Sequence, residues 1–306
     1  MTVQKRFLRV TNLLFVILLA VQFLPDRISE DPQTSCVIWF AAVTEVFVLL
    51  VSAWAKKPQS LNLFLDIIGF LFAVLIVWTL ATAKLNLLKE SLFPPPGMVF
   101  AQFAEDWDKI LINIQSSLGI IFQGFLIAAG IAIPLGLFLG WSARIGSAAT
   151  YVSKFLSAIP PIVYIPYGIA LLPTFRSVSV FVIFLATFWP VLASTMSGVL
   201  NVERRVIDSA RVLNVNRFTM LFSVILPAAL PQIFIGLNQG LTVSFILLTS
   251  AEMIGAQDGL GYYVKQYSDF GDYTRAIVGI LVIGLVVMAI SLLFNRLQRH
   301  LLRWKG

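Results

Sequence analysis

The amino-acid sequence predicts an all-α, polytopic membrane protein with about eight transmembrane helices. Of the 306 residues, 58% are hydrophobic and only 12% are charged. A soluble protein of that composition would expose large apolar patches and aggregate. The apolar residues are also collected into long blocks, several of which reach the roughly 20 residues that a helix needs to cross a bilayer. The basic residues are divided among the short segments between these blocks, which is typical of a chain that crosses a membrane repeatedly.

Eight blocks qualify as spans when they are taken in order along the chain. They cover residues 7–24, 36–55, 62–83, 114–141, 150–172, 177–200, 222–250 and 275–296. The first is the weakest, because Arg9 and Asn12 lie within it. Its basic start is also typical of a secretory signal, but no small-x-small cleavage site precedes Pro25, which favours a retained helix. The seventh is longer than one crossing requires, which predicts a tilted or broken helix.

The distribution of charge predicts the topology. If the N-terminus is cytoplasmic, the inner segments hold fifteen of the 22 Lys and Arg residues, and most acidic residues fall outside. These basic residues are Lys5, Arg6, Arg9, Lys56, Lys57, Arg144, Lys154, Arg204, Arg205, Arg211, Arg217, Arg296, Arg299, Arg303 and Lys305. Cytoplasmic segments are enriched in Lys and Arg, so both termini are predicted to lie in the cytoplasm, on the inner side of the cell membrane. A charge spread over short loops does not indicate a nucleic-acid partner.

Few residues are suited to catalysis or metal binding. Cys36 is the only cysteine, which excludes an internal disulfide. His300, the only histidine, lies among basic residues at the C-terminus. No Gly-Lys pair occurs, so the chain has no phosphate-binding loop. We therefore predict no catalytic residue, no metal and no cofactor bound by this chain, and any energy must come from a partner or an ion gradient.

The segment "FPPPGMVFAQF", residues 93–103, separates three spans from the five that follow. Three prolines cannot continue a helix and favour an extended link. The next stretch, "AEDWDKILINI", has the pattern of an amphipathic helix on the outer surface, although a solvated connector fits it equally well.

Spans four to six combine small residues with prolines. Ala128, Ala132, Gly136 and Gly140 recur every four residues, which predicts a flat stripe where another helix approaches closely. Prolines interrupt all three spans, at Pro134, Pro160, Pro161, Pro166 and Pro190. Backbone groups freed by proline must bond to neighbouring helices or to water in a cavity. This pattern favours a transport pathway over a passive anchor, with kinks for packing alone as the alternative.

The loop between spans six and seven predicts a short amphipathic helix, about residues 202–214, on the inner face. Val202, Val206, Ala210 and Leu213 would form one apolar stripe, while Glu203, Arg204, Asp208 and Arg211 face elsewhere.

Residues of this loop resemble the cytoplasmic motif of ABC importer permeases: Glu-Ala-Ala, three residues, Gly, nine residues, Ile, one residue, Leu-Pro. The chain has Asp208-Ser209-Ala210, Asn214, Val224 and Leu226-Pro227 at that spacing. The segments "LSAIPPIVYIP", "LPAALPQIFIGL", "SAEMIGAQDGLGYYV" and "PPPGMVFAQF" resemble the branch that imports nitrate, sulfonates, taurine and bicarbonate. The resemblance covers roughly residues 62–304. Asn214 replaces the family's Gly, and Asn also tolerates the left-handed conformation, so the turn is expected to be kept.

The resemblance implies a six-helix permease core in residues 61–306, preceded by two additional transmembrane helices in residues 1–60. It implies a homodimer with a second permease copy, two ATPase subunits that bind ATP and Mg²⁺, an extracytoplasmic substrate-binding protein and a surrounding lipid bilayer. The short helix would dock in an ATPase groove, with Ala210 allowing close approach and Asp208 pairing with a donor. The arginines would face either the ATPase or anionic lipid headgroups. The residues assigned to coupling are Asp208, Ser209, Ala210, Arg211, Leu213, Asn214 and Pro227.

A translocation pathway is expected along span seven. Asn238 and Thr242 are four residues apart and share a face, to which we assign Ser244 and the adjacent Gln239. Gln123 on span four and Trp189 on span six are further candidates, and hydrogen bonds between helices are the alternative role. Glu252, at the outer end of span seven, is predicted to form an outer gate, or else to accept hydrogen bonds from loop backbone. No arginine cluster lies at mid-membrane, so no tight anion site is expected there.

The two alternatives to an ABC permease are a secondary transporter and a membrane enzyme. A gradient-driven secondary transporter would use Glu45, Asp66 or Glu252 as a proton relay, because ionisable groups inside a span are costly and invite a functional role. A membrane enzyme has no visible nucleophile–base pair or metal cluster to support it.

Overall fold

The computed structural model describes residues 10–28, 30–54, 58–89 and 91–303, and these residues form helices and loops without a strand. Within these ranges, six helices are long and apolar enough to cross a membrane. They are Thr34–Trp54, Leu61–Lys84, Trp107–Gly140, Phe175–Leu200, Arg217–Gly255 and Tyr273–Leu301. The predicted class, an all-α polytopic membrane protein, is confirmed.

The other two predicted spans are not single long helices. Span one is the 13-residue apolar helix Val10–Gln22, and residues 7–9 of that prediction lie outside the described residues. Span five, predicted as one helix over residues 150–172, is a broken pair, Ala143–Ser157 and Pro161–Leu171, bent by 73°. Pro160 and Pro161 lie at the break, where their missing N–H groups prevent the helical hydrogen bonds from continuing.

One compact unit comprises residues 1–108 and 266–280. Its first helices are α1 (Val10–Gln22), α2 (Thr34–Trp54), α3 (Pro58–Thr79), which a π turn extends over Leu80–Lys84, and α4 (Pro96–Glu105). Leu18 of α1, Ala41 of α2 and Phe72 of α3 are fully buried in a shared apolar cluster. The side chain of Lys84 is buried as well, and its Nζ lies 2.8 Å from a carboxylate oxygen of Asp26. The two predicted N-terminal helices therefore pack with the third one.

The proline-rich segment differs from the predicted extended link. Pro96 occupies the first turn of α4, because the first helical position needs no N–H and the proline ring favours helical φ. Gly97 is required there, since an added Cβ would collide with the carbonyl oxygens of Pro32 and Gln33. The stretch "AEDWDKILINI" is not a separate surface helix either. It divides at Asp106, between the end of α4 and the first turns of α5 (Trp107–Gly140).

The second compact unit comprises residues 109–265 and 281–306. After α5, its helices are α6 (Ala143–Ser157), a 3₁₀ turn (Pro161–Tyr164), α7 (Ile165–Leu171), α8 (Phe175–Leu200), α9 (Arg204–Val212) and α10 (Arg217–Thr219). A π turn (Met220–Ile225) then leads into α11 (Leu226–Gly255), which is followed by α12 (Leu260–Asp269) and α13 (Tyr273–Leu301). Helices α5, α12 and α13 each contribute residues to both units.

The small-residue stripe of α5 contacts α8, as its spacing predicts. Ala128, Ala132, Gly136 and Gly140 are all buried. A Cβ added to Gly136 would lie 2.7 Å from Cβ of Thr195, and one added to Gly140 would lie 2.9 Å from Cβ of Val199. The absence of side chains therefore allows the two helices to approach closely.

Candidate functional site

Helix α9 is a short, basic helix between the long helices α8 and α11. It covers Arg204–Val212, somewhat less than the predicted 202–214. Asn214 ends it with a φ of 53°, in the left-handed region. The predicted retention of the turn by Asn214 is therefore confirmed. Asn216 then caps α10, because its side-chain oxygen accepts a hydrogen bond of 2.7 Å from the N–H of Thr219.

The packed face of α9 differs from the predicted stripe. Ala210 is 7% exposed and packs, with Ile207, against Met220, Leu221 and Ile225 of this same chain. Val206 and Leu213, which the stripe included, are 41% and 77% exposed. The small side chain of Ala210 therefore allows close approach to the chain's own π turn, rather than to a docking groove as predicted.

The opposite face of α9 is exposed and mixes apolar with charged groups. Val212, Leu213 and, after the turn, Phe218 are 87%, 77% and 71% exposed. Asp208 lies on the exposed side too, where its Oδ1 accepts a weak bond of 3.4 Å from Arg211. The Oγ of Ser209 donates to the carbonyl of Arg205 at 2.8 Å.

Pro227 lies within a helical stretch rather than at its beginning. Helical structure already starts at Arg217 and runs to Gly255 through the π turn, with Pro231 inside α11. Proline cannot donate to the carbonyl four residues earlier and crowds it, and the wider π turn directly before Pro227 relieves that conflict.

Asn238, Gln239 and Thr242 lie on one side of α11. Gln239 and Thr242 are exposed and Asn238 is half-buried. The Oγ1 of Thr242 donates to the carbonyl of Asn238 at 2.9 Å. The side-chain amides of Asn238 and Gln239 are the other polar groups of this face. Ile235 and Ile246, 53% and 62% exposed, extend the same face along the helix.

Ser244 does not belong to that face. It is 0% exposed, and its Oγ lies 2.9 Å from the Oγ1 of Thr187 on α8. A residue two positions from Thr242 points to nearly the opposite side of a helix, so Ser244 joins two helices. Gln123 is exposed on α5, whereas Trp189 of α8 is half-buried and its ring forms a T-shaped pair with that of Phe188.

Glu252 is buried at the end of α11 that is remote from α9. It is 1% exposed. Its Oε1 accepts a hydrogen bond of 2.6 Å from the Oγ of Ser117, and its Oε2 accepts one of 2.7 Å from the N–H of Gly261. The Oγ of Ser117 in turn accepts from the N–H of Leu260 at 2.9 Å. We refer to Glu252, Ser117, Leu260 and Gly261 as the Glu252 cluster.

The Glu252 cluster holds the loop before α12 against α5. Asn113, one turn before Ser117, accepts a further bond of 2.8 Å from the N–H of Gly259. Gly259 has a φ of 115°, which favours glycine, and an added Cβ there would collide with the Glu252 carboxylate. Glu252 thus accepts one backbone hydrogen bond, from Gly261 at the end of this loop, in line with the alternative to an outer gate. The sequence alone did not identify Asn113 and Ser117, which lie more than 130 positions from their partners.

The carboxylates proposed for a proton relay have different surroundings. Glu45 is 7% exposed on α2, and its Oε2 has no hydrogen-bond partner among the described residues. Asp66 is exposed on α3. Across the described ranges, His, Cys, Asp and Glu side chains form no group of three or more that could hold a metal ion.

Comparison with known proteins identifies the family of this chain. Residues 132–305 match the family of binding-protein-dependent transport system inner membrane components. The chain therefore belongs to this family, the membrane-spanning permeases of binding-protein-dependent ABC importers.

Individual relatives place it in the nitrate and taurine branch. The chain is 32% identical to the taurine transport system permease protein TauC of Escherichia coli, over 82% of this chain and 93% of that protein. It is 31% identical to the nitrate import permease protein NrtB of Leptolyngbya laminosa, over 59% of this chain and 65% of that protein. A probable ABC transporter permease protein of Brucella abortus is 34% identical, over 63% of this chain and 77% of that protein.

Proposed function

We propose that this chain moves a small solute that is, or carries, an oxyanion, of the nitrate, sulfonate, taurine or bicarbonate kind, into the cytoplasm. It acts as a homodimer, with two ATPase subunits that bind ATP and Mg²⁺ and with an extracytoplasmic binding protein that selects the solute. Both termini lie in the cytoplasm. The names of the taurine and nitrate permeases support the solute class, and the family description supports a binding protein as partner.

The observation that carries the proposal is the two-sided packing of α9. One face, with Ala210 and Ile207, is fixed to the π turn of this chain. The other presents exposed Val212 beside the charged Asp208, and the exposed Leu213 follows directly at the C-terminal end of the helix. Exposed apolar side chains rimmed by charge are typical of a protein-binding surface. The ATPase is proposed to bind this exposed face, with Asp208 exchanging its weak bond to Arg211 for a donor on the partner.

The continuity of α11 supports a mechanical role for α9. The π turn that packs against Ala210 runs directly into α11. From Leu226 to Glu252 that helix extends about 40 Å at 1.5 Å per residue. A displacement of α9 on closure of the ATPases would move α11 and, with it, the polar face of Asn238, Gln239 and Thr242. Those side chains are proposed to line the solute pathway.

The test is the Leu213→Asp variant in the transporter assembled with its ATPase and binding protein. A charge at this exposed apolar position should reduce substrate-stimulated ATP hydrolysis by on the order of tenfold or more, since it disfavours burial at an interface. Phe270→Asp is the matched control, because Phe270 is 80% exposed in the loop between α12 and α13. Normal coupling in Leu213→Asp would contradict the assignment of α9.

A gradient-driven transporter remains distinguishable by experiment. It predicts uptake by the purified chain alone in liposomes under a proton gradient, whereas the ABC permease requires ATP and its ATPase subunits for any accumulation.

A further inference from the structure

A cavity of about 350 Å³ lies in the second unit, between the N-terminus of α8 and the C-terminal end of α11. Its walls include Ile120, Thr174, Arg176, Ser179, Gln257 and Asp258. A volume near the lower end of the usual ligand range suits a small solute. The cavity is on the side of α11 that carries the Glu252 cluster, remote from α9.

The α8 wall of this cavity is positive. Arg176 is exposed in the first turn of α8, and it forms no ion pair within the described part of the chain. A Cβ added to Gly119 of α5 would lie 3.1 Å from Nη2 of Arg176, so this glycine leaves room for the guanidinium. The first turn of a helix adds partial positive charge from its N–H groups. An oxyanion would be attracted to this wall.

A buried hydroxyl on the same wall lacks a partner. Ser179 is 1% exposed and lines the cavity, and its Oγ has no hydrogen-bond partner among the described residues. A buried polar atom left unsatisfied costs about 1–3 kcal/mol, so such atoms in native proteins usually bond to a ligand or to water. The nearby hydroxyls of Thr174 and Ser177, by contrast, already bond to each other, so Ser179 alone of the three lacks a partner.

A second part of the cavity wall carries a carboxylate. Asp258 and Gln257 belong to the loop that leads into α12, and the Glu252 cluster and Asn113 fix the end of that loop through Gly259, Leu260 and Gly261. Asp258 forms no ion pair with Arg176 although both line one cavity. The loop thus brings a negative group to the same cavity as a positive one without an ion pair between them.

We propose that this cavity binds a small zwitterion, with Arg176 and the Ser179 hydroxyl on its oxyanion and Asp258 on its ammonium group. This inference rests on the proposed function and narrows its solute to an amino-sulfonate or similar amino acid. A simple anion is disfavoured, because Asp258 would face it unpaired and repel it. Arg suits the oxyanion because its guanidinium presents several donors in a planar fork.

The test uses thiol protection in the full-length purified chain in lipid nanodiscs. Cys36→Ala removes the only native cysteine, and Gln257→Cys places a reporter in the exposed part of the cavity wall. Modification by the neutral reagent methyl methanethiosulfonate is timed with taurine, with ethanesulfonate, which lacks the ammonium group, or with nitrate. Taurine should slow the reaction about threefold or more at saturating concentration, whereas the two simple anions should change it by less than about twofold.

Variants of the charged walls decide the assignment. Arg176→Gln and Asp258→Asn should each remove the protection by taurine, Arg176→Lys should retain part of it, and Arg144→Gln on exposed α6 should leave it unchanged. Equal protection by ethanesulfonate, or full protection in Arg176→Gln, would overturn the zwitterion site. The readout needs no ATPase, so a failure of ATP coupling would count against the proposed function and leave this result standing.

Discussion

Glu252 shows how one side chain organises the loop between two helices. Its carboxylate accepts from a hydroxyl of α5 and from a backbone N–H of α12, while the side chain itself belongs to α11. Without this carboxylate, the Ser117 hydroxyl and the Gly261 N–H would be buried without an acceptor. Because one side chain joins α5, α11 and α12, the position of the loop depends on this residue.

Replacing Glu252 by Ala should lower the free energy of unfolding by on the order of 3 kcal/mol. The change leaves the Ser117 hydroxyl and the Gly261 N–H buried without their acceptor, at about 1–3 kcal/mol each. Glu252→Gln should cost less, because an amide oxygen can still accept one of the two bonds. Thermal unfolding of the purified protein in detergent measures both effects. The exposed Asp108 supplies the control variant Asp108→Ala, and equal stability of Glu252→Ala and this control would refute the structural role.

The contact between α5 and α8 depends on glycine. Gly124 and Gly136 face α8 with no space for a side chain, and each added Cβ would lie 2.7 Å from a Cβ on α8, of Ile183 and Thr195. Gly130, on the same helix, has no atom within 4 Å of its added Cβ. A comparison of Gly136 with Gly130 therefore distinguishes the effect of packing from that of the low intrinsic helix propensity of glycine.

Gly136→Leu should destabilise the protein by about 1–3 kcal/mol or prevent native packing, because the side chain would force α5 and α8 apart. Gly130→Leu should be neutral or mildly stabilising, since leucine favours the helix more than glycine does. The measurement is the fraction of monodisperse protein after purification, together with its unfolding temperature. A similar loss in both variants would mean that α5 contacts another surface through Gly130.

The sequence predicted the elements well and their rotations poorly. Span lengths follow from apolar blocks, and the turn at Asn214 follows from the conformational preference of asparagine. The rotation of α9 did not follow, because Val206 and Ile207 are both apolar and one residue turns a helix by about 100°. For the same reason Ser244 was assigned to the face of Thr242. The Glu252 cluster requires contacts across more than 130 residues, which no local pattern contains.

The coupling role proposed for α9 depends on the orientation of the chain in the membrane. The α9 face must lie in the cytoplasm to meet an ATPase. Its basic residues Arg204, Arg205 and Arg211 favour that side. The loop between α12 and α13 contains Asp269 and Asp272 and is expected on the other side.

Two exposed apolar residues give a matched pair for testing this orientation. Leu213 is 77% exposed after α9, and Phe270 is 80% exposed after α12. In the Cys36→Ala background, Leu213→Cys should react with a membrane-impermeant maleimide only in inside-out vesicles, and Phe270→Cys only in intact spheroplasts. Permeabilised membranes control for reactivity, because both cysteines should then react equally. Labelling of Leu213→Cys from outside would place α9 away from any cytoplasmic ATPase and exclude the coupling mechanism, even though the family assignment would stand.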